Sequence, residues 1–331
     1  MTFFKKILVG SGLLVLVSAA GFTLWANTDI SSADTPVEFS IKPGSGLNSA
    51  MQQIAEAGVP VQPTLLALLA RLVGQGQKIK AGNYELKPGT TPHMLIVQLA
   101  RGEFAQESLV IIEGWTFKQM RRAIADHPAL KHDTADMTEQ ELLAIIAPDY
   151  KQAEGLFFPD TYLFAKGASD LQIFKQANTT MTARLNDAWA VRDAALPYKN
   201  PYEALVMASI VEKETGKQAD RDMIAAVFVN RLKAGMMLQT DPTVIYGMGD
   251  SYQGNIRKRD LLADTPYNTY KRTGLPPTPI ALPGAASLAA ALNPAKTDAL
   301  YFVAKGDGGS QFSSNLSDHN QAVNKYQRGA N

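Results

Sequence analysis

The feature that most constrains this chain is an uncharged stretch near its N-terminus. Lys5 and Lys6 are followed by Ile7 through Thr28 without one Asp, Glu, Lys or Arg. Such a run has few options. A helix needs about 20 residues, at 1.5 Å each, to cross a hydrocarbon core, and it satisfies its own backbone groups there. Phe3 and Phe4 precede the run and Trp25 closes it, where interfacial aromatics belong. Lysines before the span, with Asp29 and Asp34 after it, predict an N-terminus inside and the remainder outside. A cleaved signal peptide is the competing reading, cut at Ser18-Ala19-Ala20 or near Ala26. Its apolar core would normally span about 7–15 residues, and this run is longer, which favours an uncleaved anchor. Residues 1–28 are therefore expected to be a membrane anchor with a short cytoplasmic end. Residues 29–36, rich in Ser, Thr, Asp and Ala, read as a linker.

The rest of the 331-residue chain is long enough for about two domains. With 32 Lys+Arg against 31 Asp+Glu, it lacks the basic excess of a nucleic-acid binder. The absence of cysteine excludes a disulfide framework, thiolate zinc sites, iron–sulfur clusters and a cysteine nucleophile.

Residues 37–106 read as a small α+β unit. Val37–Ile41 alternates apolar and polar, as a strand does, and Lys42-Pro43-Gly44 breaks it. Leu47, Met51 and Ile54 recur at helical spacing, Pro63-Thr64 opens a second helix, and Gly82–Leu86 returns to strand character. Thr91-Pro92 starts another helix. Two strands enclosing two helices resemble a LysM-type module, which binds N-acetylated glycans. A small packing domain without a ligand fits the same pattern. His93 lies beside a turn, and His127 and His132 lie five apart in a charged loop. None has partners at metal-ligand spacing, so no metal is expected.

Residues 107–331 carry the chemistry. The informative segment begins at Asn200, which suits an N-cap, with Pro201 at the first helical position and Glu203 completing a capping box. Gly216 supplies the stop. Ala204 through Val211 is apolar apart from Ser209, so the helix must be largely buried, yet its end carries Glu212 and Glu214. Glu214 lines up with Met207, Ile210 and Val211 on the most apolar stripe. A carboxyl against apolar surface holds its proton to higher pH, which suits a general acid. The plain alternative is a pair of solvated glutamates in a frayed last turn near Lys213 and Lys217. A second helix is expected over Asp222–Ala234, carrying Asn230-Arg231. Beyond it come turn-rich segments with Gln, Thr, Asn and Tyr, suited to a polar groove with aromatic walls.

Several motifs occur in order: Ala208-Ser209-Ile210-Val211-Glu212-Lys213-Glu214-Thr215, Leu238-Gln239-Thr240-Asp241-Pro242-Thr243, Tyr267-Asn268-Thr269-Tyr270 and Gly274-Leu275-Pro276-Pro277. Glu113-Gly114-Trp115-Thr116, Glu154-Gly155-Leu156-Phe157-Phe158-Pro159 and Tyr301-Phe302-Val303-Ala304 accompany them. Together they resemble the YceG-like family of endolytic murein transglycosylases, from the anchor to Asn320. The resemblance implies an α+β protein of the bacterial inner membrane: one transmembrane helix, a LysM-like subdomain and a larger mixed catalytic domain in the periplasm. It implies cleavage of nascent peptidoglycan strands to 1,6-anhydro-N-acetylmuramic acid ends, beside peptidoglycan synthases (penicillin-binding proteins). It places the catalytic carboxyl at Glu214, with Glu212 in reserve, and requires no metal or organic cofactor. Gln239, Thr240, Asp241, Tyr246, Tyr267 and Asn268 are the candidates for holding the sugars. Two other classes compete: a catalytically silent glycan-binding scaffold for synthases, and a pyridoxal-phosphate lyase using a lysine. The scaffold leaves a glutamate pair on a buried helix unexplained. Extracytoplasmic placement argues against the lyase.

Overall fold

The computed structural model describes residues 2–31, 37–214 and 217–329, with the side chains of 2–12 outside the description. The chain is a mixed α+β protein with small two-stranded sheets, and it divides into two compact units.

The first unit comprises Met1–Glu107 with Leu163–Gly167. Helix α1 (Thr2–Ala26) leads to strand β1 (Val37–Ile41), helices α2 (Leu47–Glu56) and α3 (Pro63–Leu72), strand β2 (Gly82–Leu86) and helix α4 (Pro92–Arg101). β1 and β2 pair antiparallel, Val37 opposite Leu86 and Ile41 opposite Gly82. Thus the expected order of two strands around two helices is present. Apolar alternation turns Phe39, Ile41, Tyr84 and Leu86 into one core with Met51, Ile54, Leu66, Leu95 and Leu99. Pro63 and Pro92 each stand at a helix start, where a missing N–H costs nothing.

The N-terminal segment departs from expectation in one respect. Ala26 and Ile30 are buried in that core, and Phe22 and Trp25 pack against it. The Ile30 N–H donates to the Thr90 carbonyl and the Gly89 N–H to the Ser31 hydroxyl. Residues expected as the anchor's end and a free linker therefore belong partly to the folded unit, because their apolar side chains find a core beside α4. The rest of the expected linker, residues 32–36, lies outside the described residues. Among the described residues no helix is long and apolar enough to cross a membrane.

The second unit comprises Ser108–Tyr162 and Ala168–Asn331. Strands β3 (Gln106–Val110) and β4 (Thr161–Ala165) pair, and the chain passes between units within each of them. Helices α5 (Phe117–Ala125) and α6 (Glu139–Ile146) each begin on a capping box, from Thr116 and Thr138. Helix α6 follows the loop that carries His127 and His132. Helix α7 (Asp170–Ala190) precedes α8 (Pro201–Glu214) and α9 (Arg221–Lys233). After them come α10 (Asp241–Met248), α11 (Lys258–Leu262) and α12 (Ala285–Leu292). The chain ends in an antiparallel pair, β5 (Tyr301–Ala304) with β6 (Ser310–Ser313), and helix α13 (Leu316–Gln327). α8 is the hub, packed by α7, α9, α10 and α12.

Candidate active site

Helix α8 starts as its sequence requires. The Asn200 side chain accepts from the Glu203 N–H at 3.0 Å, while the Glu203 carboxylate reaches back to the Lys199 N–H at 2.7 Å. That is one residue further back than a standard capping box. Every residue from Ala204 to Val211 is buried. Ser209 is the polar exception; its hydroxyl donates to the Val206 carbonyl and accepts from the Ile280 N–H at 2.9 Å. Only the last turn leaves the core, presenting Glu212 and Glu214 half-buried. The expected Gly216 stop and Thr215 lie outside the described residues.

The two glutamates have different surroundings. Glu212 accepts from the Gly284 N–H at 2.9 Å, which commits it to the entrance of α12. Glu113 lies beside it, its carboxyl pushed up by burial and by the Glu212 charge, with Arg221 opposing. A Cβ on Gly284 would sit 1.8 Å from a Glu113 oxygen, so any larger residue there would have to displace the Glu113 carboxyl. Glu214 instead accepts a hydrogen bond from the Thr240 hydroxyl. Burial raises its pKa, Thr240 lowers it, and the nearby Asp241 raises it, with burial the largest effect.

Thr240 is held firmly for this task. It stands at the N-cap of α10 without using its side chain to cap the helix; the hydroxyl goes to Glu214. Its N–H donates to the Thr269 hydroxyl at 3.1 Å, and the Gln239 N–H donates to the Thr269 carbonyl at 3.1 Å. Thr243 bonds both the Thr240 carbonyl and the Thr269 hydroxyl at 2.8 Å. Gln239, just before it, has φ of +51°, alone among the described non-glycine residues in being positive. A left-handed non-glycine residue is costly and occurs where surroundings enforce it, often at functional sites.

Glu214 lines a cleft of about 430 Å³ with Gln239, Asp241, Tyr270, Arg231 and His319. Tyr270 donates to Asp241 at 2.6 Å. A larger cavity of about 790 Å³ belongs to the first unit, against β2 and α4. It lacks a shielded carboxyl of the Glu214 kind, so size does not select the site.

The expected sugar-holding residues thus separate into three groups. Gln239, Thr240 and Asp241 gather at Glu214, with Thr240 buried behind it. Tyr246 and Tyr267 pack edge-to-face, 5.0 Å between centroids, away from the lining of that cleft. Asn268 is 1% exposed, and its amide donates to the carbonyls of Asp260, Leu261 and Ala263 while accepting from the Tyr270 N–H. This corrects the expectation of a sugar contact: its hydrogen bonds are spent shaping the loop.

Sequence reasoning also passed over Glu154 as an ionisable group. It is buried, accepts from the Phe117 N–H at 2.9 Å and from the Tyr246 hydroxyl at 3.1 Å. Burial outweighs these bonds and pushes its pKa up to about 7. The signal available was an acid heading the apolar run Leu156–Phe158. Among the described residues no group of three His, Asp or Glu could hold a metal ion. His93 and His132 are exposed, and His127 contacts the Ser108 carbonyl at 3.3 Å.

The YceG-like family model matches residues 39–325. The chain belongs to the YceG-like family. Among its similar relatives is a Bacillus subtilis protein named endolytic murein transglycosylase, 35% identical over 75% of this chain and 73% of that protein. One from Streptococcus pneumoniae with the same name is 27% identical over 87% of this chain, but only 58% of its own length is covered. The crystal structure of a yceG-like protein from Listeria monocytogenes superposes with a TM-score of 0.58 at 32% identity, covering 87% of this chain and 99% of that one.

Proposed function

We propose that this family member is a lytic transglycosylase that cuts within nascent peptidoglycan strands, between N-acetylmuramic acid and N-acetylglucosamine. The observation that carries the reading is Glu214: a carboxyl at the end of a buried helix, braced by Thr240, lining a cleft, and raised in pKa by burial. The names of the relatives supply the substrate class.

One carboxyl suffices for the chemistry. Glycosidases generally need two, an acid and a base or nucleophile. Here Glu214 protonates the glycosidic oxygen as the C1–O4 bond breaks, releasing the N-acetylglucosamine end with its new hydroxyl. The resulting carboxylate removes the proton from the muramic sugar's own C6 hydroxyl as that oxygen bonds to C1. The product is a 1,6-anhydro sugar, no water is consumed, and Glu214 regains its proton. Acid–base catalysis of this kind contributes about 10²–10⁴-fold. Gln239 and Asp241 contact the sugars beside Glu214, and Tyr246 and Tyr267 form an aromatic surface further along. Thr240 and Asn268 position. In the same reading residues 37–106 are a LysM-like subdomain that holds glycan and residues 107–331 the catalytic domain. Residues 1–28 anchor the chain in the bacterial inner membrane, with the remainder periplasmic beside peptidoglycan synthases, where cleavage ends strand elongation.

The test is the mass of the products from uncrosslinked strands. Wild type should yield anhydro ends, one water lighter than hydrolysed ends, and Glu214→Gln should lose at least about 10²-fold in rate while melting normally. Hydrolysed ends would make it a muramidase. Strand binding without cleavage would leave a scaffold. Activity kept by Glu214→Gln and lost by Glu212→Gln would move the catalytic role.

A further inference from the structure

The cleft at Glu214 holds a charge that the reaction above does not use. Arg231 on α9 is only 8% exposed, yet it lines the cleft. Its Nε donates to the Leu300 carbonyl and one terminal nitrogen to the Leu238 carbonyl, both at 2.7 Å. The guanidinium lies over the Tyr301 ring, 5.2 Å from the centroid. Among the described residues no carboxylate lies within 4.0 Å of it. Burial pulls its pKa below the ordinary arginine value, and the group remains a cation. Two carbonyls and a ring offset only part of the cost of burying an unpaired charge.

His319 on α13 completes this wall. Its ring stacks on Tyr301 with centroids 5.1 Å apart, and its Nδ1 is buried without a hydrogen-bond partner. Burial and the Arg231 charge hold its pKa down, which favours the neutral imidazole, and its Nδ1 hydrogen-bonding capacity is unspent. Tyr270 stands between the two ends: it donates to Asp241 and feels both the Glu214 and the Arg231 charge.

We propose that Arg231, seconded by His319, binds a carboxylate on the C3 substituent of the muramic sugar and so sets which glycosidic bond reaches Glu214. This rests on the transglycosylase reading. The polymer alternates two N-acetylated sugars that differ at C3, where one carries a lactyl ether whose carboxyl is free in stripped strands and amide-linked to a carboxylate-bearing peptide stem in nascent ones. A protein that must cleave after that sugar, and never after its neighbour, needs to read this group. Arginine's planar fork recognises a carboxylate, and here it shares a cleft with the acid. Asp241 and an ionised Glu214 would repel an anion. Tyr270 occupies one acceptor of Asp241, and Glu214 is uncharged when it acts as the acid.

The experiment compares three uncrosslinked strands on the full chain. The first carries the free C3 carboxylate, the second the same group as a neutral amide, and the third an intact peptide stem. Wild type should process the first at least tenfold better in kcat/KM than the second, and binding to Glu214→Gln should show the same preference. The third strand identifies the source of the carboxylate: preference for it over the second assigns the carboxylate to the stem, and handling like the second assigns it to the sugar acid itself. Arg231→Gln should bring the ratio of first to second near one, while His319→Ala should reduce it several-fold. Equal handling of all three strands by wild type overturns the proposal, whatever Arg231→Gln does to folding. So does a preference that survives in a folded Arg231→Gln. Should wild type cut none of the strands, the transglycosylase reading falls, and the binding preference of Glu214→Gln still decides this inference.

Discussion

Glu214 and Glu154 are both tuned by burial, with different consequences. At Glu214 the Thr240 hydroxyl favours the charged form, so the raised pKa is a balance in which desolvation wins. Removing the donor tips the balance further. Thr240→Val should move the high-pH limb of kcat/KM upward and lower the maximal rate several-fold through looser placement, whereas Thr240→Ser should restore both; a pH–rate profile of the three proteins checks this. Glu154 acts on stability. Its folded-state pKa of about 7 lies above its ordinary 4.5. The folded state therefore binds more protons between those values, and Glu154's contribution, complete below pH 4.5, is lost as pH rises through 7. At 1.36 kcal/mol per unit the loss is roughly 3 kcal/mol. Denaturant melts from pH 4 to 8 should show wild type losing about that much stability relative to Glu154→Gln as pH rises, since the glutamine does not titrate. Neither tuning is visible in spacing alone. An acid next to apolar residues was legible at both positions, but Thr240, Phe117 and Tyr246 reach them only by folding.

At the scale of elements, local chemistry made most boundaries readable. The Asn200-Pro201 start of α8, the Pro63 and Pro92 starts in the first unit and the β1 alternation all act within a few residues. The expected second helix of the catalytic region, Asp222–Ala234, formed one residue earlier, at Arg221–Lys233. Helix α7 ends at Ala190, before the bend that carries the chain to Pro197. Helix α10 was missed as part of a polar groove. Its Pro242 is a legitimate first-turn residue, but eight residues with half-buried faces carry little period. Entry into α10 depends on the left-handed Gln239. Gln239→Gly keeps that turn and should leave the melting temperature unchanged or slightly higher while raising KM through the lost side chain. Gln239→Val, β-branched at positive φ, should cost about 1–3 kcal/mol and displace Thr240. Melting curves with KM values separate the two effects.

For the molecule as a whole, the N-terminal segment joins the uncharged run to the first unit's core. Phe22, Trp25, Ala26 and Ile30 pack there, so a soluble fragment cut after Ala26 should lose stability in that unit relative to one starting at Gly21. Burial of an aromatic side chain contributes about 1.5–3 kcal/mol, which predicts a lower first transition by calorimetry and an unaltered second one. The sequence by itself determined the helices and strands whose apolar periods and caps are local. It also determined the neutral charge balance and the anomaly of two glutamates on a buried helix. Only the tertiary structure decided which glutamate faces a cleft, because Gly284 claims Glu212 and Thr240 reaches Glu214 from another helix. It likewise brought Arg231, Tyr301 and His319, from three elements, to one wall. Such contacts leave no period in a sequence, since they are made by side chains far apart along the chain and selected by the packing of whole elements.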